Sequence, residues 1–353
     1  RGGRRSRTRQ DLAPRQKGRA QHLRIMWKFK PILKTTIWGG ERIAPFKGIE
    51  TDQTCVGESW ELSGVEGDES VVADGPEAGM KLPELLDKFG AAILGERNYK
   101  KFGDRFPLLI KFIDARQDLS VQVHPDDAMA RRHGQANGKT EMWYVINAAS
   151  GARLANGFKE AVDPDDYARL VQSGEIENVL NFCDIRPGDV YFIPAGRVHA
   201  IGAGAFVAEI QQTSDATYRI YDYHRKDAHG NERQLHTELA KEAINFNDTE
   251  GEAVKYVPRR DIPVNVARCP YFTTNLLDLD EEVMRDYAEL DSFIVLVVTQ
   301  GSGVLHCGAD AVSNVPTEMR VKQGDTVLVS ASAQGLESTP DADGLKLIET
   351  YVA

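Results

Sequence analysis

Long hydrophobic runs are missing from this chain of 353 residues. Its longest apolar stretches, such as Phe293 to Val298, are much shorter than the roughly 18 residues that a membrane-spanning helix requires. The sequence therefore predicts no membrane partner. Hydrophobic residues still make up 41% of the chain and aromatic residues 8%, which is enough for a sizeable core and excludes a disordered protein.

Cysteine is scarce, with four residues that lie far apart and form no CxxC pair. This spacing excludes the disulfide framework of a small secreted domain. We therefore expect free thiols, a reducing compartment and a cytoplasmic location. The four cysteines are Cys55, Cys183, Cys269 and Cys307.

Positive charge is scarce outside the N-terminal segment, and the chain carries a net charge of −10. Residues 1–25 contain nine Arg or Lys and one acidic residue, which leaves 34 basic and 52 acidic residues for the other 328. Such an acidic body repels nucleic acid, so we expect no nucleic-acid partner. An anionic substrate would have to meet a local cluster of Lys and Arg.

Residues 1–25 also lack any apolar period. We expect them to form a disordered basic extension, with Met26 as the first residue of the folded part. A nucleic-acid-binding arm and a transit peptide are the alternatives.

The remaining sequence consists mainly of short apolar segments with turn residues between them, which is typical of β-sandwiches and barrels. Helical periods interrupt it at 82–94, 163–172 and 237–244, where Thr237 is a plausible N-cap. A polar segment at 247–264 predicts a boundary between domains 26–255 and 256–353. Each domain contains a Gly-Asp before an apolar strand, at Gly188-Asp189 and Gly324-Asp325, a weak sign of two copies of one β architecture. The predicted strands are 107–113, 119–123, 179–182, 189–193, 206–211, 292–298 and 324–329.

Two of the eight histidines stand in contexts that indicate a site. Gln122 and His124 lie on the same face of a predicted apolar strand, where buried polar side chains need partners. A metal ion is one such partner, and a hydrogen-bonded core histidine is the alternative. His199 ends the segment from Gly188 through Pro194 and Gly196, which predicts a strand followed by a tight turn.

That segment resembles the second cupin motif, G-x5-P-x-G-x2-H, at every fixed position up to His199. The resemblance implies a mainly β fold of two cupin-type β-sandwich or jelly-roll barrels, with short helical insertions on the first. It also implies a metal site formed by Gln122, His124, Glu141 and His199. Two imidazoles and two oxygen ligands suit Zn, Fe or Mn. A metal ion held only by these four side chains still has room for a water molecule or a substrate oxygen.

The segments 119–127 and 138–144, which carry three of these ligands, resemble type I mannose-6-phosphate isomerases in their short bacterial form. Similar segments run in the family's order from about residue 27 to 225; they are Trp38 to Gly40, Gly57 to Glu61, Pro107 to Lys111 and Glu209 to Asp222. The resemblance implies reversible isomerisation of mannose 6-phosphate and fructose 6-phosphate with one Zn²⁺ per chain. The C-terminal domain resembles only a generic cupin, and since His306 lacks partner ligands we expect it to be metal-free.

This reaction moves a proton between C1 and C2 through an enediolate, so it requires a base, a stabilised negative charge and a cationic site for the phosphate. The resemblance makes Lys111, Asp215, Arg219 and a metal-bound water candidates for proton transfer, and the sequence leaves the choice open. A basic Lys111 would need a lowered pKa, and binding of substrate hydroxyls or phosphate is its alternative role.

The resemblance assigns Lys139 to phosphate or hydroxyl binding and Arg219 to the phosphate or the enediolate. Asp215 would orient Arg219 or carry protons, with a plain structural ion pair between the two as the alternative. Ser120 would hydrogen-bond the substrate or play a structural role.

Two other functions remain open at this stage: an Fe- or Mn-dependent cupin dioxygenase, and a sugar-binding cupin without catalysis. The Lys139 and Arg219 pair argues against the first, because oxygen chemistry does not require a phosphate site. The complete ligand set argues against the second. We expect a monomer or a weak homo-oligomer with a small phosphorylated sugar as its partner.

Overall fold

A computed structural model describes residues 24–308 and 317–353. Most of the predicted extension lies outside these residues. Arg24 and Ile25, its last two residues, are structured: Arg24 forms an ion pair with Asp74, and Ile25 is buried.

Twenty strands account for most of the regular structure in the described residues. They are β1 Met26–Lys30, β2 Ile32–Gly40, β3 Val56–Leu62, β4 Val71–Val72, β5 Leu108–Asp114, β6 Val121–Val123, β7 Glu141–Ala148, β8 Arg153–Phe158, β9 Leu180–Asp184, β10 Val190–Ile193, β11 His199–Ile201, β12 Ala205–Gln212, β13 Tyr218–Tyr221, β14 Val264–Arg268, β15 Thr273–Leu279, β16 Val283–Asp286, β17 Ile294–Cys307, β18 Thr317–Lys322, β19 Thr326–Val329 and β20 Gly335–Tyr351. The prediction of a mainly β protein is confirmed.

The helices are short and lie mostly between strands of the first two thirds of the chain. They are α1 Ile43–Lys47, α2 Leu82–Phe89, α3 Ala91–Leu94, α4 Glu96–Phe102, α5 Asp127–Arg132, α6 Pro164–Ser173, α7 Thr237–Ala243 and one 3-10 turn, Ile176–Val179.

The helix predicted over 82–94 is broken, because Gly90 has a φ of 47° and separates α2 from α3. Thr237 is not the cap of α7, since the helix begins at Thr237 and His236 occupies the cap position. The His236 ring accepts a hydrogen bond from the backbone N–H of Arg219, which attaches this end of α7 to β13.

Three antiparallel sheets contain the named strands of the described residues. One has six strands in the order β10-β7-β12-β5-β3-β2, and a second has five in the order β13-β6-β11-β8-β9. A hydrophobic cluster that includes Trp143, Leu154 and Ile201 draws its side chains from both of these sheets. The two sheets therefore form a sandwich.

The third sheet has the order β14-β15-β20-β17-β19-β1-β4, so the C-terminal strands are followed by two strands from the start of the chain. In addition, β16 pairs with β20, and β18 pairs with β17. Strand β1 thus pairs with β19, and Met26 lies opposite Val329, 303 residues further along. A large hydrophobic cluster also joins this sheet to the sandwich, with members such as Phe112 and Ile348. Separation into domains 26–255 and 256–353, each with its own barrel, stays a prediction.

Two predictions about the environment of the chain can be compared with the structure. All four cysteines are free thiols, as expected. Among the described helices, none has the length and apolar character to cross a membrane.

Candidate active site

The two sheets of the sandwich bring the predicted metal ligands together from opposite sides. Gln122 on β6 and His199 on β11 are direct cross-strand partners in the five-stranded sheet. Glu141 begins β7 in the six-stranded sheet, and His124 follows β6 by one residue. The interior of the sandwich, where side chains from both sheets meet, therefore contains the site.

His124, Glu141 and His199 form a compact group in which one potential ligand atom from each lies within 4.8 Å of the others. The Nε2 atom of His124 lies 3.5 Å from Glu141 Oε2, and the Nε2 atom of His199 lies 3.5 Å from Glu141 Oε1. All three side chains are at most 1% exposed. This is the donor set of a mixed imidazole–carboxylate metal site.

Backbone carbonyls fix the orientation of both imidazoles. His124 donates through Nδ1 to the carbonyl of Ala216 at 2.8 Å, and His199 donates through Nδ1 to that of Arg197 at 2.9 Å. A proton on Nδ1 leaves the Nε2 lone pairs facing Glu141, as metal ligation requires. Burial lowers the pKa of His199 to about 4 and that of His124 well below its usual value, so both rings are neutral near pH 7.

The Pro-Gly turn before His199 holds the two ligand-bearing segments in register. Gly196 has a φ of 88°, a left-handed conformation that favours glycine, and its N–H donates to the carbonyl of His124 at 2.9 Å. The turn that the sequence motif predicts is thus the link between the two histidines.

Glu141 is fully buried, and neither of its carboxylate oxygens accepts a hydrogen bond from a described residue. The Lys139 ammonium lies 3.1 Å from Glu141 Oε2 and 3.1 Å from His124 Nε2, so a cation already contacts two of the three ligands. A buried carboxylate without hydrogen bonds is costly unless positive charge lies beside it. The residues present therefore fit a bound cation.

Gln122 lies at the same place, although its amide nitrogen, not its oxygen, lies 3.3 Å from His199 Nε2. Because the oxygen and nitrogen of an amide are assigned from their hydrogen bonds, a half-turn of the amide presents the oxygen to the ligand group. The Ser120 hydroxyl donates to the other end of this amide at 3.4 Å. The role of Gln122 as a fourth ligand and the role of Ser120 in binding the substrate stay predictions.

A cavity of about 320 Å³ opens above this group, large enough for a phosphorylated hexose. It is lined by charged and aromatic side chains from both sheets and includes all the predicted substrate residues. Its charged and polar lining residues include Glu58, Lys111, Ser120, Gln122, Lys139, Glu209, Asp215, Arg219 and Arg233.

Lys111 is a buried cation on β5 held between two carboxylates. Its ammonium lies 3.5 Å from Glu58 Oε2 and 3.5 Å from Glu209 Oε1, and 4.7 Å above the Trp60 ring. Burial would lower the pKa of Lys111, but the negative charges of Glu58 and Glu209 outweigh it and raise the pKa above its usual value. Lys111 therefore does not have the lowered pKa that it would need to act as a base.

Arginines occupy another part of the cavity wall. Arg219 on β13 is the cross-strand partner of Gln122, and its Nη1 donates to the carbonyl of Gln234 at 2.9 Å. Arg233 lines the cavity as well and is held by Asp222. Within the described chain Asp215 is exposed and forms no ion pair, so the predicted structural pair between Asp215 and Arg219 is not observed.

Sequence reasoning assigned no role to three charged residues of the cavity: Glu58, Glu209 and Arg233. Glu58 and Glu209 stood inside the segments that carry the family resemblance, and the alternation of their strands could have placed them beside Lys111. Arg233 lies beyond the last of those segments, and no signal in the sequence pointed to it.

The chain is similar to known proteins in sequence and in fold. The sequence profile of the family described as phosphomannose isomerase type I, catalytic domain, matches residues 26–181. The mannose-6-phosphate isomerase ManA of Bacillus subtilis (strain 168) is 36% identical over 283 residues, which cover 79% of this chain and 87% of that protein.

Solved structures give the same result for the fold. The crystal structure of the mannose 6-phosphate isomerase from Bacillus subtilis superposes with a TM-score of 0.81 at 31% identity, covering 93% of this chain and 99% of that one. A mannose 6-phosphate isomerase bound with zinc and yttrium shares the fold at 18% identity, with a TM-score of 0.72 and coverage of 93% and 100%.

Proposed function

The chain belongs to the type I phosphomannose isomerase family, and on this basis we propose that it interconverts mannose 6-phosphate and fructose 6-phosphate. The observation that carries the proposal is the buried group of His124, Glu141 and His199 beneath a cavity with cations on its walls. Aldose–ketose isomerisation needs both features, one to stabilise an enediolate and the other to bind a phosphate.

The metal we assign to this group is one zinc ion per chain, which a solved structure of the same fold also contains. His124, Glu141 and His199 would hold it, with Gln122 as a fourth ligand. When bound, zinc supplies a Lewis acid that polarises oxygens of the sugar without changing its own oxidation state.

The charges of the cavity orient the substrate. Lys111 and Lys139 stand among three carboxylates, Glu58, Glu141 and Glu209, so this end has no excess of positive charge before metal binds. The arginine end has an excess of cations, and the phosphate therefore points toward it. C1 and C2 of the sugar then lie above the metal ligands, where Lys139 and Ser120 donate hydrogen bonds to its hydroxyls.

Asp215 is the residue we assign to proton transfer between C1 and C2. It lines the cavity and has no ion pair among the described residues, so its carboxylate is available as a base. Lys111 has a different role: it stays protonated and holds Glu58 and Glu209 in place. Arg219, opposite Gln122, stabilises the negative charge that develops on the enediolate.

The remaining features of the protein follow from its family and composition. We propose that residues 26–255 form the catalytic part and 256–353 a metal-free β domain. We also propose a cytoplasmic protein that acts as a monomer or weak homo-oligomer on a small phosphorylated sugar.

The test is to incubate the zinc-loaded protein with mannose 6-phosphate in D₂O and follow the sugar by proton NMR. An enediol pathway predicts fructose 6-phosphate with deuterium at the exchanging carbon, and Asp215→Asn should slow both conversion and exchange at least tenfold. Zinc-loaded, folded protein that leaves mannose 6-phosphate unchanged contradicts the proposal.

A further inference from the structure

We propose that Arg233, held in place by Asp222, binds the phosphate group of the substrate and gives the site its preference for phosphorylated sugars. The inference rests on the proposed function and adds a residue to it. Arg219 was the arginine that the sequence assigned to the phosphate or the enediolate, and under this proposal Arg219 serves the enediolate while Arg233 binds the phosphate.

Asp222 holds the Arg233 guanidinium through two short hydrogen bonds. Arg233 donates from Nε to Oδ2 at 2.7 Å and from Nη2 to Oδ1 at 2.6 Å. Asp222 is 4% exposed, and Arg225 also donates to it at 2.6 Å. The third nitrogen of Arg233, Nη1, has no hydrogen-bond partner in the described part of the chain, while the residue lines the cavity. The side chain is thus preorganised with a donor still available.

The charges around Asp222 do not cancel. Arg225 and Arg233 contribute two positive charges, and Asp222 contributes one negative charge. Arg219 and Arg233 both line the cavity. A phosphate monoester carries about −1.5 to −2 charges at pH 7, so this excess of positive charge attracts it.

The two arginines reach the cavity from different segments of the chain. Arg219 pairs with Gln122, the cross-strand partner of the ligand His199, so it belongs to the reacting end. Arg233 follows β13, which is the last strand of the five-stranded sheet in the sequence, and it lies in the segment before α7. Binding of phosphate by Arg233 leaves Arg219 free to face the sugar.

The experiment compares Arg233→Gln and Arg233→Lys with the parent protein, all zinc-loaded, using mannose 6-phosphate and unphosphorylated mannose. We expect Arg233→Gln to raise KM for mannose 6-phosphate roughly 10- to 100-fold with kcat within about threefold, because a charge-assisted contact is lost. The kcat/KM for mannose should not change. Arg233→Lys should recover part of the loss, since it keeps the charge but not the two-point contact with Asp222.

Calorimetric titration with inorganic phosphate gives a second readout that does not depend on turnover. The parent protein and the control Arg169→Gln, a surface arginine on α6 that is 62% exposed, should bind phosphate equally well. Binding by Arg233→Gln should be at least tenfold weaker.

Unchanged KM for mannose 6-phosphate and unchanged phosphate binding in Arg233→Gln would overturn the inference while leaving the isomerase proposal intact. Equal losses with both sugars would overturn it too, because they indicate a structural role. If the parent protein turned over neither sugar, the proposed function would fail, and the phosphate titration would still decide the role of Arg233.

Discussion

Buried charges without hydrogen bonds define the site at the scale of single residues. Glu141 has none from a described residue, and Glu209 Oε1 has none either, although Trp143 donates to its other oxygen at 2.9 Å. Two ammoniums, those of Lys111 and Lys139, lie within 3.5 Å of these carboxylates. Because unpaired buried charge is costly, each of these side chains depends on its neighbours for its charge state.

Lys111→Met should remove the cation that Glu58 and Glu209 share and destabilise the metal-free protein by about 3–5 kcal/mol at pH 7. The pKa of Lys111 is raised by these carboxylates, so its stabilising charge is fully present below its unfolded value of about 10.4. It is lost only as the pH rises through the higher folded value. Urea unfolding should therefore give the same difference from the parent protein between pH 7 and 9.5.

The control for this series is Lys255→Met, which removes an ammonium that is 86% exposed and should change stability by less than about 0.5 kcal/mol. A difference that shrinks between pH 7 and 9 would mean that Lys111 has a lowered pKa, and it would return Lys111 to the candidates for the base.

The sequence predicted which side chains come together at the candidate metal site, because motif spacing encodes them. Gln122, His124, Glu141 and His199 all lie at one place in the structure. The state of Lys111 was not predictable in this way, because it depends on Glu58 and Glu209, which come from two other strands, β3 and β12. A pKa is set by distances between elements, and spacing within one segment carries no information about them.

The segment between α5 and β7 is the element that places Lys139 and Glu141. Three consecutive backbone N–H groups, those of residues 138–140, donate to Asp127 Oδ1 at 2.8 Å, to the carbonyl of Pro125 at 3.0 Å and to Gln212 Oε1 at 2.9 Å. Gln212 in turn donates to Asp127 at 3.0 Å. The segment therefore enters β7 with its backbone fixed.

Gly138→Ala should disturb this segment. A Cβ at Gly138 would lie 2.5 Å from the carbonyl carbon of Asp126 and 2.6 Å from the nitrogen of Asp127, so backbone must move. We expect a loss of about 1–3 kcal/mol in stability and roughly tenfold weaker zinc binding, measured by competition with a chromophoric chelator.

Gly308→Ala is the matched control, since no atom of the described residues lies within 4 Å of its Cβ position. Equal zinc affinities in the two variants would show that the 138–140 segment does not position the ligands.

Element types were more predictable than their ends. The predicted Gly-Asp turns before β10 and β19 have the same geometry: Asp189 accepts from the N–H of Arg186 at 2.8 Å, and Asp325 accepts from that of Lys322 at 2.9 Å. The break at Gly90 was missed, because the apolar period continues through it. The helical spacing of apolar residues indicates which face is buried, but it does not indicate whether the backbone stays helical.

At the scale of the whole molecule, contacts join the parts of the chain on either side of the predicted boundary. Strand β1 leaves the first part of the chain to pair with β19. Lys47, which forms a buried ion pair with Glu61 at 2.6 Å, also donates across to the carbonyl of Gly324 at 2.6 Å. The polar segment at 247–264 predicted a boundary from local sequence alone. Pairing between residues about 300 positions apart leaves no such local signal.

We propose that the group of His124, Glu141 and His199 binds a metal ion on which isomerisation depends. The most direct measurement is to remove metal with a chelator, titrate Zn²⁺ back and follow conversion of mannose 6-phosphate to fructose 6-phosphate. Glu141→Gln is measured in parallel, with the exposed Glu160→Gln as its control.

We expect activity to vanish on chelation and to return with one zinc per chain in the parent protein and in Glu160→Gln. Glu141→Gln should bind zinc at least tenfold more weakly and stay inactive at one equivalent. Full activity after chelation, or a Glu141→Gln variant that binds zinc as tightly as the parent protein, would contradict the account.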